Sequence, residues 1–241
     1  MDLWSLFRGS PEKQIERLRK KVKEPHGDAS VRQNAAVRLY EMGTPAAIRA
    51  LLERYTISVS PSVQDEQEKQ DVYNWLVAKG REVVPSLIDF IKTERAVHWP
   101  ARILQGILDS EEQAREFNRI LDHMWKNPPA SAIPKNQLIR MLDDLHSPEL
   151  EETVRRFLTD DDDDARLAAI QYLMGRPEED ERDAILECYL DSEDRPRVRM
   201  QILELFMEHG WSVRGHRPAV EESLPDSFSL TREGKIRRVG A

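Results

Sequence analysis

The residues with the clearest capacity for chemistry are five consecutive carboxylates, Asp160, Asp161, Asp162, Asp163 and Asp164, in the stretch TDDDDDARLAAIQYLMG. Oxygen donors at this density suit a hard cation such as calcium. An EF-hand loop read from Asp160 has carboxylates at its first, third and fifth positions. Its sixth position is Ala165, where the sharp turn needs glycine, and its twelfth is Gln171, where a bidentate glutamate is needed. The apolar run that begins at Ala165 supplies another use. An aspartate at a helix N-cap accepts backbone N–H groups that have no partner in the helix, and carboxylates in the first turn favour the positive end of the dipole. Capping accounts for about two of the five. The rest belong to a solvated linker, to recognition of a basic partner, or to a weakly held divalent ion. Arg155, Arg156 and Arg166 are near enough in sequence to neutralise part of the charge.

Other reactive side chains are scattered. His26, His98, His123, His146, His209 and His216 stand singly, although His209 and His216 bracket GWSVRG and are positioned to approach each other. There is no HExxH, no glycine-rich phosphate loop and no GxSxG elbow. The single cysteine, Cys188 in AILECYLD, can form neither an intrachain disulfide nor a thiolate cluster, and reads as a buried apolar residue. These residues imply no catalytic centre, no metal site and no cofactor. A basic tail segment carrying Arg232, Lys235, Arg237 and Arg238 joins the aspartates as a candidate partner-binding feature.

Charge is divided along the chain. Residues 8–38 carry nine Lys or Arg against four acids, residues 143–194 carry nineteen acids against five Arg, and residues 195–238 carry nine basic residues against six acids. The formal charge is −8. A nucleic-acid binder gathers its cations into a continuous positive field, and the short RKKVK run in an acidic protein does not imply one. Its plainer use is the solvated face of a helix, with an acidic partner or anionic lipid as the alternatives. No window is long and apolar enough to span a bilayer, and the start, MDLWSLFRGSPEKQ, has no leader of secretory type, so a cytoplasmic location is expected.

The elements that must position these residues are helices. SPEKQIERLRKKVKE offers Ser10 as N-cap and Pro11 at the first helical position, with Leu3, Trp4, Leu6 and Phe7 ahead of it as a small apolar lid or docking segment. DASVRQNAAVRLYEMG places Val31, Ala35, Leu39 and Met42 on one stripe and stops at Gly43, and Thr44 restarts a second helix. Comparable pairs recur, with first helices ending near Gly43, Gly80, Asp109, His146, Gly175 and Gly210, at intervals of 37, 29, 37, 29 and 35 residues. Six quasi-equivalent units of this size predict a stacked array of helical hairpins. Small residues (Ala35, Ala36, Ala101, Ala168, Ala169) permit close helix approach, and Leu39, Leu104, Leu142, Leu173 and Leu205 supply core bulk. Trp75, Trp99 and Trp125 read as packing residues.

The units GDASVRQNAAVRLYEMGTPAAIRALLERY and DDDDDARLAAIQYLMGRPEEDERDAILECYLD resemble HEAT repeats, particularly the short bacterial type of the phycobilisome-lyase-like proteins. The shared local pattern is an acidic residue, a variable pair and an Arg ahead of a small-apolar helix, as in DASVRQNAA, DDDARLAA and DRPRVRMQI. The resemblance spans roughly residues 28–210 and implies an all-α fold, a right-handed α-solenoid of about six hairpins with a protein-binding surface. It does not imply lyase activity.

Two segments depart from the repeat. YTISVSPSVQDEQEKQ lengthens the connection after the first hairpin, as a surface or contact loop. At the other end, SFSLTREGKIRRV alternates around a glycine turn and predicts a short β-hairpin, whose Phe228, Leu230 and Ile236 cover the last repeat. The expected organisation is a capping segment over 1–27, the repeat array over 28–210 and a terminal cap over 211–241. The expected function is a non-catalytic scaffold or adaptor with an unidentified protein partner. The alternatives are a chromophore-lyase-like enzyme or attachment chaperone, and a structural subunit of a larger complex.

Overall fold

Helix boundaries follow from capping chemistry. Ser10 accepts a hydrogen bond from the Lys13 N–H, and α1 runs Pro11–Val22. Asp28 caps α2 (Ala29–Met42) through the N–H groups of Ser30 and Val31, and Gly43 closes it at φ 61°. That left-handed conformation is cheap only for glycine. Thr44 then caps α3 (Pro45–Leu52). The computed structural model describes residues 10–142 and 145–240; the expected Leu3, Trp4, Leu6 and Phe7 cluster lies outside the described residues.

The chain divides into two compact units, Met1–Glu116 and Phe117–Ala241. In the first, α3 is followed by α4 (Ser62–Lys79), α5 (Val84–Thr93) and α6 (His98–Ile107), with α7 (Ser110–Lys126) carrying the chain into the second. Helices α2, α4 and α6 pack side by side as the first helices of successive hairpins, α3 packs on α5, and α1 covers α2 and α3. Leu39, Leu51, Leu76, Leu87 and Phe90 are fully buried between these layers. Gly106 shows how closely α6 approaches α4: a Cβ there would sit 2.9 Å from the Tyr73 hydroxyl and 3.0 Å from Val77 Cγ2. Trp99 is buried and stacks on Tyr55 with ring centroids 5.7 Å apart.

The second unit repeats the plan with α8 (Ile133–Arg140), α9 (Pro148–Arg156), α10 (Asp163–Met174), α11 (Glu178–Leu190), α12 (Pro196–His209) and α13 (Arg217–Ser223). Here α8, α10 and α12 pack in order as first helices, and α11 packs against α13. The fold is all-α apart from the terminal hairpin, in which β1 (Phe228–Leu230) pairs antiparallel with β2 (Ile236–Arg238), Phe228 opposite Arg238 and Leu230 opposite Ile236. Phe228 and Ile236 are buried, as are Trp211 and Val213, while Leu230 is half-buried. Trp211 meets Phe206 of α12 edge-on at 5.6 Å. The hairpin therefore covers the apolar end of the last repeat, as its alternation predicts.

Three local expectations need correction, and one helix end differs from its counterparts. Val31 is 44% exposed, and its neighbour Arg32 is the buried residue at 2%. The helix expected to run to about His146 ends at Arg140, where Met141 and Leu142 turn into tighter bonds to Leu138 and Ile139 carbonyls. The sequence runs into two aspartates there, and carboxylates are disfavoured at a helix C-terminus. Gly175 ends α10 in right-handed conformation at φ −76°, unlike Gly43 and Gly210. Leu205 is half-buried, because Val198, Ile202 and Phe206 occupy the core stripe of α12.

Candidate functional site

The aspartate run is distributed over several structural tasks. Asp160 is buried, and both of its carboxylate oxygens accept from Lys135 Nζ, at 2.7 and 2.8 Å. Its Oδ1 also accepts the Asp162 N–H at 2.9 Å. Asp162 is the N-cap of α10, accepting from the Ala165 N–H at 3.0 Å. Asp163 and Asp164 occupy the first turn and face Arg195 at 2.5 Å and Arg197 at 2.7 Å. Asp161 offers its backbone carbonyl to Arg195 and keeps its side chain exposed. Capping takes the share expected of it, and ion pairs to neighbouring hairpins take most of the remainder.

The cations that neutralise this run are not the nearest in sequence. Arg155 reaches the buried Glu181 with two hydrogen bonds, at 2.7 and 3.0 Å. Arg156 pairs with Asp122 at 3.0 Å, and Arg166 donates to the Asp160 carbonyl at 2.5 Å and to Ser192 Oγ at 3.2 Å. The expectation that these three arginines screen the carboxylates gives way to Lys135, Arg195 and Arg197, which come from the hairpins on either side. Stacking repeats brings those residues close, whereas the helical direction carries Arg155 and Arg156 elsewhere.

The arginine of the sequence pattern has a consistent task. It stands four residues after the N-cap in α2, α10 and α12, as Arg32, Arg166 and Arg199. Arg32 donates to the carbonyls of Glu24 and Gly27, Arg166 to that of Asp160, and Arg199 to that of Ser223. Each guanidinium donates to backbone carbonyls outside its own helix, in a linker for Arg32 and Arg166 and at the end of α13 for Arg199. The pattern is a device for joining hairpins.

In the first unit a buried charge network does the same work. Arg32 grips Glu68 through two bonds of 2.7 Å, and Arg54 reaches Glu68 at 2.9 Å and Asp65 at 2.7 Å. Lys69 completes it at 2.7 Å from Asp65. Burial alone pushes the Glu68 and Asp65 carboxyls up, but the hydrogen bonds from Arg32 and Arg54 to Glu68, and from Lys69 and Arg54 to Asp65, outweigh it and hold both below the usual carboxylate range. Sequence reading placed Asp65 and Glu68 in a charged, loop-following run and missed their burial. The i, i+3 spacing of two acids on an otherwise core-facing stripe with Val72 and Leu76 is the signal that marks them.

Each compact unit has a concavity among its described residues. One of about 540 Å³ lies between the 25–29 segment and the 58–60 loop, over Arg32 and Gln64, with His26, Ser58 and Ser60 on its rim. Arg32 at its base is already fully engaged by Glu68 and two carbonyls. The other, about 220 Å³, is lined by Ile139, Arg140, Ala168, Gln171 and Tyr172, and Arg140 bonds Gln171 across it at 3.1 Å. Among the described residues no group of three or more His, Cys, Asp or Glu is arranged to hold a metal. His216 faces Asp183 at 3.6 Å and His209 lies edge-on to Trp211.

The stretch from α8 into α12 combines hairpin spacing, a side-chain cap on α10 and arginines that reach between hairpins. Residues 130–205 match the HEAT repeats family. This stretch is similar to HEAT repeats. No curated protein and no solved structure matches the chain. The matched stretch contains the strongest local motif in the sequence, DDDARLAA, and ends before the terminal hairpin.

Within the matched stretch, a row of exposed carboxylates lies on α11. Ile185, Leu186, Cys188 and Tyr189 turn inward with Glu181. Glu179, Asp180, Asp183, Glu187 and Asp191 turn outward and are exposed, so that carboxylates form the solvent face of the helix. Their spacing, in PEEDERDAILECYLD, is legible once the apolar stripe is drawn, but the contiguous aspartates at 160–164 draw attention first. The basic residues of the terminal hairpin are exposed: Arg232 and Lys235 sit at its turn, Arg237 bonds Ser229 at 3.0 Å, and Arg238 pairs with Glu204 at 2.8 Å.

Proposed function

We propose that this chain is a non-catalytic scaffold that binds a partner protein, and that the outward face of α11 is a recognition surface for a basic segment of that partner. The observation that carries the reading is the contrast between two acidic stretches of similar density. Most carboxylates at 160–164 are engaged by Lys135, Arg195, Arg197 or a helix N-terminus, whereas on the outside of α11 Glu179, Asp180 and Glu187 face solvent over more than two turns, with Asp183 between them beside Arg182 at 3.1 Å and His216 at 3.6 Å. A surface of one sign steers an oppositely charged partner and sets register. HEAT repeats supply a rigid support of stacked hairpins, in keeping with such use. The likeness to phycobilisome-lyase-like proteins, which the motifs suggest, concerns the shape of the repeat unit and carries no chemistry to these residues.

The test is affinity capture of partners from the native source by the wild-type chain and by the variant E179Q/D180N/D183N/E187Q. The reading expects a stoichiometric partner that the variant fails to retain while its circular dichroism is unchanged. Equal recovery by both, or turnover of a small molecule by the purified chain, contradicts it.

A further inference from the structure

The connection between α3 and α4 contains a short extended segment. Ile57 has φ −122° and ψ 161°, and burial alternates along the residues that follow: Ser58 and Ser60 are exposed, and Val59 is buried. Two inward bonds fix its orientation. The Ile57 carbonyl accepts from Arg54 Nη1 at 3.4 Å, and the Val59 N–H donates to Asp65 Oδ1 at 3.1 Å. In a trans peptide the C=O and the N–H point to opposite sides. The peptide units on both sides of Ser58 are trans, so the Ser58 N–H and the Ser58 C=O are both turned away from Arg54 and Asp65. Among the described residues no hydrogen bond reaches either group. Ser58 therefore presents a donor and an acceptor on one side, as a residue at the edge of a β-sheet does. It borders the concavity of about 540 Å³, across from Pro25, His26 and Gly27.

We propose that this edge takes up an extended segment of a partner protein by strand addition, with one residue of that segment exchanging both main-chain hydrogen bonds with Ser58. A donor and an acceptor flanking a single residue are matched by the same pair on an antiparallel strand, and strand addition draws its affinity from the main chain. The floor of the concavity does not select a charged ligand instead. Arg32 there is engaged by Glu68 and by the Glu24 and Gly27 carbonyls, and Gln64 donates to Glu68. The added length of the connection, YTISVSPS, is what carries Ser58 to the rim of the concavity. The site lies in the first unit and is independent of the α11 face in the second.

Selection from a phage-displayed library of random linear peptides, followed by fluorescence anisotropy of the enriched peptides with the full chain, tests the proposal. Ser58→Pro removes the outward donor, and the fold loses no hydrogen bond with it because that N–H has none; the extended Ile57 also suits a following proline. Ser58→Ala leaves the main chain unchanged. The proposal expects enriched peptides that bind the wild type and Ser58→Ala alike and bind Ser58→Pro about tenfold or more weakly, with all three proteins at the same urea midpoint. In the wild-type chain the bound peptide should also slow amide hydrogen exchange at Ser58, a readout that stands even if Ser58→Pro is unstable. The proposal is overturned if the library yields no binder, if Ser58→Pro binds as the wild type does, if Ser58→Ala loses binding, or if exchange at Ser58 is unchanged. It is equally overturned if the edge pairs with a second copy of the chain, read by sedimentation velocity as a dimer that Ser58→Pro dissociates.

Discussion

Lys135 Nζ lies 2.7 and 2.8 Å from the two carboxylate oxygens of Asp160, with both side chains buried, and the pair ties the first helix of one hairpin to the linker that begins the next. Removing one partner of a buried pair leaves the other charge without compensation, which costs about 3–5 kcal/mol. Lys135→Ala should destabilise the second unit by that order, read as a lower urea midpoint. Replacing both partners, as K135M/D160L, should cost less than the single change, because the uncompensated charge is gone. A double variant as unstable as the sum of the two single variants would show that the pair is not a coupled unit.

The first unit should lose stability in acid through its own network. Glu68 and Asp65 titrate below their ordinary values when folded, so their contribution is present above the unfolded-state values of about 4.3 and 3.9 and is lost as pH falls through the lowered folded values. Glu68→Gln should lower stability at neutral pH and flatten its dependence below about pH 4. Urea titrations of both proteins across that window would decide it, and parallel curves would contradict the assignment.

Cys188 offers an internal reporter for the second unit. Its thiol is buried and donates to the Leu158 carbonyl at 3.2 Å, and burial pushes its pKa up. The thiolate is the reactive form, so the native thiol should label with a disulfide reagent only as fast as the unit opens. Lys135→Ala should accelerate that labelling, because it destabilises the same unit. Rapid labelling of the wild-type chain would place the thiol nearer solvent than its surroundings indicate.

The terminal hairpin should act as a stop. Phe228 and Ile236 cover the end of α12 beside Trp211, and terminal repeats need a covered outer face to stay soluble. Phe228→Ala should cost about 3 kcal/mol and promote concentration-dependent association, measurable by sedimentation velocity. A variant that is destabilised yet monomeric at every concentration would make the hairpin a source of stability alone.

How much of this was legible depended on the reach of each interaction. The N-cap at Ser10, the helix stop at Gly43, the restart at Thr44 and the hairpin around its glycine turn are local, and the sequence predicts them from neighbours within a turn or two. Arg32 and Val31 were exchanged because an arginine is buried only where a distant group receives it, and its receiver, Glu68, is 36 residues away. Likewise Lys135, Arg195 and Arg197 meet the aspartates through stacking of hairpins, which adjacency along the chain does not report. The candidate site moved for the same reason. A contiguous run of acids is conspicuous in sequence, but exposure on a helix face depends on which residues the core claims, and on α11 the core claims Glu181 and leaves Glu179, Asp180, Asp183 and Glu187 outside.

The account turns on that difference between two acidic stretches, and one comparison addresses it directly. Quantitative partner capture should be run side by side with D161N/D163N/D164N and with E179Q/D180N/D183N/E187Q, each checked for folding by circular dichroism. The account predicts that the first variant keeps the partner and the second loses it. Loss of the partner from the first with retention by the second would return recognition to the aspartate run and contradict the assignment to α11.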